Sequence, residues 1–244
     1  MTRIKVLLTG TGGRIGQYLT PAFREVYDLR TLDRQASRVD PNPVLSDLQD
    51  MTVLREAMQG CDVVVHMAAT SDEAPFVENL VPNNVVGVYN IFQAALETGV
   101  RRVVFASTVQ TVGFYPHDHN IRITDPVRPV TLYGATKVLG EVMGRYYHDR
   151  HGLEFVGIRI GWFQPYDSEH LRRHAGARSI WLSPGDAIRL FRRAVEAPHV
   201  GFVLAFGTSK TSFERLSLAP ARELLGYEPQ DDVATIPLEP AAEN

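Results

Sequence analysis

Val6 to Gly16 reads VLLTGTGGRIG, and the fold of the whole chain turns on this stretch. An apolar run from Ile4 to Leu8 leads straight into glycines at 10, 12, 13 and 16, and Ile15, Leu19 and Phe23 then recur at helical spacing. That order is strand, tight turn, helix. Glycines let a backbone approach a pyrophosphate closely, and a helix start presents N–H groups without intrahelical partners and a partial positive charge. Asp33 ends the next apolar stretch, Tyr27 to Leu32, about 20 residues beyond the loop, where a carboxylate can accept both ribose hydroxyls of an adenine dinucleotide. The alternative is a purely structural turn with an incidental Asp33.

At 244 residues the chain is long enough to bury a sizeable core, and it reads as one main domain with a small appendage. A net charge of -3 gives no electrostatic reason to expect a nucleic acid or an anionic membrane as partner. The single cysteine, Cys61, excludes an internal disulfide framework; lying just before the apolar Val63 to Val65, it reads as a core residue. No run approaches the ~18 apolar residues of a membrane span, and the N-terminus reads as strand rather than secretory signal, so a cytoplasmic protein is expected.

Working outward, Pro21 removes a backbone donor from the first helix and should kink it or end it early. Gln49 to Gly60 carries Met51, Leu54 and Met58 at helical spacing, with Asp47 as a candidate N-terminal cap. Asp62 to His66 reads as a strand buried on both faces, with His66 a satisfied core residue. It ends in Met67-Ala68-Ala69, and small residues at the carboxyl end of such a strand leave room for a ligand across the sheet. Asn83 to Gly99 reads as an amphipathic helix with Val85, Tyr89, Phe92 and Leu96 on one face. Arg102 to Ala106 is the next strand, with Ser107 and Thr108 at its end. Gly113 to Pro129 is loop, and Thr131 to Gly152 is a helix with Leu139, Val142, Met143 and Tyr146 on one face. Phe155 to Ile160 is a further strand, and the alternation of strand and helix predicts a doubly wound parallel α/β sheet of Rossmann type. Residues 1–161 form this dinucleotide-binding core. Residues 162–244 form a small substrate-binding cap: an irregular polar stretch from Gly161 to Ala177, a helix from Trp181 to Glu196, a strand from Phe202 to Phe206 returning to the core, and a short helix from Pro220 to Leu225. The tail frays from Ala234.

The chemistry concentrates in Tyr133-Gly-Ala-Thr-Lys137, which sets a phenol and an ammonium four residues apart on one helix face. A free tyrosine, with a pKa near ~10, is too weakly acidic to serve as a base at neutral pH unless cations nearby favour the phenolate.

In order and spacing, Gly10-x-x-Gly13-x-x-Gly16, Asp33, Asp47-Leu48, Thr108 and Tyr133-x-x-x-Lys137 resemble the extended short-chain dehydrogenase/reductase family, the NAD-dependent epimerases and dehydratases. Further stretches are similar to uronate dehydrogenases and short-chain NAD-dependent glucose-6-phosphate dehydrogenases: Ala68 to Phe76, Phe105 to Pro116, Leu132 to Gly140, Gly144 to His148, Arg159 to Gly161, Ile180 to Ser183 and Leu224 to Gln230. The resemblance implies oxidation of the anomeric hydroxyl of a sugar acid or sugar phosphate to a lactone, with NAD as cofactor. It implies Tyr133 as acid/base, Lys137 orienting the nicotinamide ribose and lowering the tyrosine pKa, and Thr108 bonding the reacting oxygen. It gives the cofactor Gly10, Gly13, Arg14, Ile15, Gly16, Asp33, Asp47, Leu48, Met67, Ala68, Ala69, Asn84, Tyr133, Lys137 and Ile160, with Asp47-Leu48 at the adenine. It gives the substrate Ser71, Thr108, Gln110 and Arg178.

Asp33 favours NAD over NADP, although Arg14 and Arg34 could pair with a 2′-phosphate. Where those enzymes read Ser-Ser-Asn-His this chain has Ser107-Thr108-Val109-Gln110, so two groups that touch the sugar are replaced. Three arginines and two histidines between His170 and Arg178 predict an anionic sugar, held by Arg178. The helices at 83–99 and 131–151 resemble a pair that forms a dimeric four-helix interface, implying a homodimer or higher homo-oligomer. A nucleotide-sugar epimerase or dehydratase and a non-catalytic dinucleotide sensor are the alternatives. The histidine pairs 117/119, 148/151 and 170/174 have no carboxylate or cysteine set to complete a zinc site, and no metal is expected.

Overall fold

In a computed structural model describing residues 3–238, strand β1 (Lys5–Thr9) is followed by α1 (Gly16–Val26), β2 (Asp28–Asp33), β3 (Val44–Leu45), α2 (Met51–Met58) and β4 (Val63–His66). A π-helical segment, Phe76–Val86, runs into α3 (Gly87–Thr98). Then come β5 (Arg102–Thr108), α4 (Leu132–His151), β6 (Glu154–Ile160), β7 (Trp162–Phe163), α5 (Glu169–Arg173), β8 (Trp181–Leu182), α6 (Pro184–Glu196), β9 (Phe202–Gly207) and α7 (Ala219–Leu225). Seven strands make one parallel sheet in the order β3-β2-β1-β4-β5-β6-β9, the doubly wound sheet that the alternation predicts. β7 and β8 pair separately.

Successive residues of a strand point to opposite faces, and here both faces are covered. Val6, Leu8, Val63 and Val65 pack with Leu19 and Phe23 of α1 and Leu190 and Phe191 of α6. Leu7, Val64, Val103 and Phe105 pack on the other side with Leu54, Met58, Ile91 and Phe92. Cys61 is buried in this second layer. Among the described residues no helix is long and apolar enough to cross a membrane.

Several elements differ from the sequence reading. Pro21 does not end α1, which runs on to Val26. The proline is exposed in the middle of the helix, where the loss of one donor is outweighed by the fully buried Leu19 and Phe23. The helix expected from Asn83 begins at Phe76 as a wide-turned π-helix containing Pro82, and only from Gly87 is it an α-helix. Its buried face is Val88, Ile91, Phe92 and Ala95, while Tyr89 is exposed.

In α4, Leu139, Val142 and Tyr146 turn outward. The face against the sheet is Gly140 and Gly144, where a Cβ would stand 2.4 Å from the rings of Phe105 and Phe155 respectively. Small residues, rather than the apolar stripe, let this helix lie close on the strands.

Trp181 is extended in β8, and α6 starts only after Ser183, whose hydroxyl caps it by accepting from Asp186 N. The stretch expected to be irregular contains β7, α5 and a 3-10 turn, Ala175–Ile180. Nor does the chain fray at Ala234. Residues Val233–Thr235 form a turn whose Val233, with Ile236, is buried against Leu171 and Trp181. Positions 239–244 of the expected tail lie outside the described residues.

Candidate active site

The chain leaves β1 towards β2 and β3 and returns on the other side at β4, so the carboxyl ends of β1 and β4 border an open crevice. Two neighbouring cavities, of about 330 and 210 Å³, run along it and share Gly10, Gly13, Met67 and Ala69 in their walls. The glycine turn fits tightly between β1 and β4. At Gly10 (φ +77°) a Cβ would lie 2.6 Å from the Ala68 nitrogen, and at Gly16 it would lie 2.1 Å from the Gly10 oxygen. Ile15, before the start of α1, offers no side-chain cap, and Gly13, Arg14, Ile15 and Gly16 of the turn wall the crevice. Asp33 closes the far end: its carboxylate accepts from Gly12 N at 2.9 Å and walls the smaller cavity with Leu48 and Ala68.

The larger cavity lies over β5 and α4 and is walled by Arg14, Ile15, Gly16, Ser71, Thr108, Gln110, Tyr133, Lys137 and Ile160 among others. Thr131 caps α4 by accepting from Gly134 N (2.9 Å) and donates to Gln110 Oε1 (2.5 Å), which ties the start of the tyrosine helix to the loop after β5. Gln110 therefore positions α4 as well as facing the cavity. Lys137 is buried one turn on, its Nζ 4.8 Å from the Phe105 ring centre and 5.6 Å from that of Tyr133. A further turn along, Glu141 accepts two bonds from Arg159 of β6 (2.9 and 2.8 Å) and one from Ser107 Oγ (2.6 Å). This buried ion pair fixes α4 against β5 and β6, with Ser107, the residue before Thr108, among its partners.

Burial pushes the Tyr133 phenol above its usual range, with Asp72 adding to the rise and Arg14 opposing it. Burial also pushes Lys137 down to about 7, against the pull of Glu141. The lowered tyrosine pKa expected from Lys137 is not found in the protein alone, because desolvation dominates and the charge that opposes it is that of Arg14.

Three expected site residues wall neither cavity. Asp47 is exposed and accepts from Gln49 N; it does not cap α2 either, that role falling to Asp50, which accepts from Thr52 and Val53 N. Asn84 is buried and occupied, bonding Thr70 N, Thr70 O and Thr136 Oγ1, while its neighbour Asn83 reaches the cavity wall. Arg178 is turned away into the cap, where its guanidinium donates to the carbonyl oxygens of Leu171 (3.4 Å), Ile236 (2.6 Å) and Val233. These carbonyls are what the guanidinium serves, so the anion clamp expected of it is not built.

His66 is buried and half satisfied: Nδ1 bonds Thr9 Oγ1 at 2.9 Å, and Nε2 has no hydrogen-bond partner among the described residues. Among the described residues no three His, Cys, Asp or Glu side chains are grouped to hold a metal.

Asp72, Trp162 and Ile180 also wall the larger cavity, and the sequence reading gave none of them a role in the site. Asp72, at φ 62°, pairs with Arg14 across the cavity mouth. Trp162 and Ile180 arrive with the small β7–β8 sheet region, for which no local periodicity exists.

The NAD dependent epimerase/dehydratase family matches residues 6–173. An NAD-dependent glucose-6-phosphate dehydrogenase of Haloferax volcanii is 36% identical, covering 96% of this chain and 96% of that protein. An L-arabinose 1-dehydrogenase (NAD(P)(+)) of the same organism is 34% identical over 95% of this chain and 98% of its own. The crystal structure of uronate dehydrogenase from Agrobacterium tumefaciens superposes with a TM-score of 0.84 at 31% identity, covering 96% of this chain and 87% of that one.

Proposed function

The chain belongs to the NAD dependent epimerase/dehydratase family, and from that premise we propose that it is an NAD-dependent dehydrogenase oxidising the anomeric hydroxyl of a small sugar to a lactone. The observation that carries the reading is that Thr108, Tyr133 and Lys137 wall the same cavity as the mouth of the glycine turn. NAD, when bound, supplies the acceptor for the anomeric hydride. Gly10, Gly13 and the start of α1 hold its pyrophosphate, Asp33 its adenosine ribose, and Lys137 the ribose next to the nicotinamide. Arg34 walls the same end as Asp33, but a carboxylate bonded to the loop amide there repels a 2′-phosphate.

Thr108 positions the sugar oxygen by hydrogen bonding, and Tyr133 takes its proton as the hydride leaves. The raised pKa of Tyr133 means that this base forms only when positive charge stands beside it, which couples proton abstraction to occupancy of the site. Oxidation of the C1–OH of a ring sugar leaves a C1 carbonyl bonded to the ring oxygen, a lactone.

Exposed Tyr89 of α3 and Leu139, Val142 and Tyr146 of α4 form an apolar surface suited to a second copy of the chain in a homodimer. A lone buried thiol suits a reducing compartment, the cytoplasm.

Tyr133→Phe tests the mechanism, since it removes only the ionisable oxygen. NAD-dependent sugar oxidation should fall ~100- to 10,000-fold while the NAD dissociation constant stays close to that of the parent. Near-parental turnover would overturn it.

A further inference from the structure

We infer that the sugar is uncharged, an aldose carrying neither carboxylate nor phosphate; this rests on the reading above that the chain is a sugar dehydrogenase. The relatives leave the point open, because by name they act on a sugar phosphate, a neutral pentose and a sugar acid. The charges in the wall of the larger cavity do not. Among the described residues its ionisable side chains are Arg14, Asp72, Tyr133 and Lys137. Arg14 is engaged in an ion pair with Asp72 and lies 3.4 Å from Ser71 Oγ, so the cavity mouth presents a neutralised pair instead of a free guanidinium. Lys137 is 1% exposed, pressed against Phe105 below Tyr133, and burial has already drawn its pKa down to about 7. The cap's own candidate, Arg178, is 9% exposed and donates to three backbone carbonyls that hold the segment around Val233 against α5.

An anionic substrate would therefore give up its hydration and find as cations in the wall only Arg14, already paired with Asp72, and Lys137, buried against Phe105. An aldose meets a different fit. Ser71, Thr108 and Gln110 offer polar groups for hydroxyls, and Val109, Trp162 and Ile180 offer apolar surface for the C–H faces of the ring.

The test is NADH formation by the full chain with NAD and a panel of L-arabinose, D-galactose, D-glucose, D-glucuronate, D-galacturonate and glucose 6-phosphate. At least one neutral aldose should exceed every charged sugar in kcat/KM by about tenfold or more. A uronate or the phosphate in first place overturns the inference and leaves the dehydrogenase reading standing. NADH from no sugar at all overturns the dehydrogenase reading and the inference with it. Asp72→Asn provides an independent measurement: it removes the carboxylate that neutralises Arg14 and so frees the guanidinium for an anion, and the ratio of uronate to neutral-aldose kcat/KM should rise about tenfold. An unchanged ratio shows that Asp72 does not set the charge preference and overturns the argument.

Discussion

His66 shows how a single buried titratable group sets a pH limit on the fold. It ends β4 immediately before Met67 of the cavity wall, and burial, reinforced by the charge of Lys137, pushes its pKa from 6.5 to about 3. Between these values the unfolded chain binds a proton that the folded chain refuses, so stability rises with pH through the window and is complete above about 6.5. Acidification from 6.5 should cost up to about 1.4 kcal/mol per pH unit from this residue. His66→Gln can keep a bond to Thr9 and does not titrate, so its urea midpoint should fall less steeply between pH 6.5 and 4 than that of the parent. Parallel curves would show that His66 does not govern acid sensitivity. The residue was legible in the sequence as a core histidine, but its unsatisfied Nε2 was not, because a partner's absence depends on every element packed around it.

At the scale of elements, α4 matters most, since it carries Tyr133 and Lys137 on a face otherwise made of Gly140, Glu141 and Gly144. Its distance from the sheet is set by the missing side chains. Gly144→Val would drive two methyl groups into Phe155 from a Cβ position already 2.4 Å from the ring, so the helix must move or the ring must turn. The expected cost is about 1–3 kcal/mol, read as a lower thermal midpoint, accompanied by a lower kcat because Tyr133 shifts with its helix. A variant with parental midpoint and kcat would show that α4 has slack the packing denies. Helical spacing located this element to within a residue, Thr131 being its cap and Gly152, at φ 73°, its end. It found the apolar stripe but not the face that lies on the sheet, because glycine carries no hydrophobic signal.

For the whole molecule, that outward stripe is the basis of the proposed homodimer. With α3 and α4 adjacent, Tyr89, Val142 and Tyr146 are each about half exposed or more, at 48, 59 and 58%. Sedimentation should give twice the mass of the chain, and Val142→Glu with Tyr146→Glu should yield monomers. A parent that sediments as a monomer at micromolar concentration removes the proposal. The same whole-molecule view separates what the chain order decides from what folding decides. Read alone, the sequence determined the parallel sheet, the glycine turn with Asp33 beyond it, and the Tyr133/Lys137 pair, because each depends on residues close together in the chain and on periodicities of two or 3.6. Only the tertiary structure decided which charges reach the cavity. Arg178 and Asn84 look available in the sequence, yet backbone groups 50 or more residues away and on a neighbouring loop take up their hydrogen-bonding capacity. Asp72 and Trp162 carry no local pattern and enter the wall through long-range packing. A buried polar group bonds whatever the fold brings to it, and the order of residues along the chain does not record those neighbours.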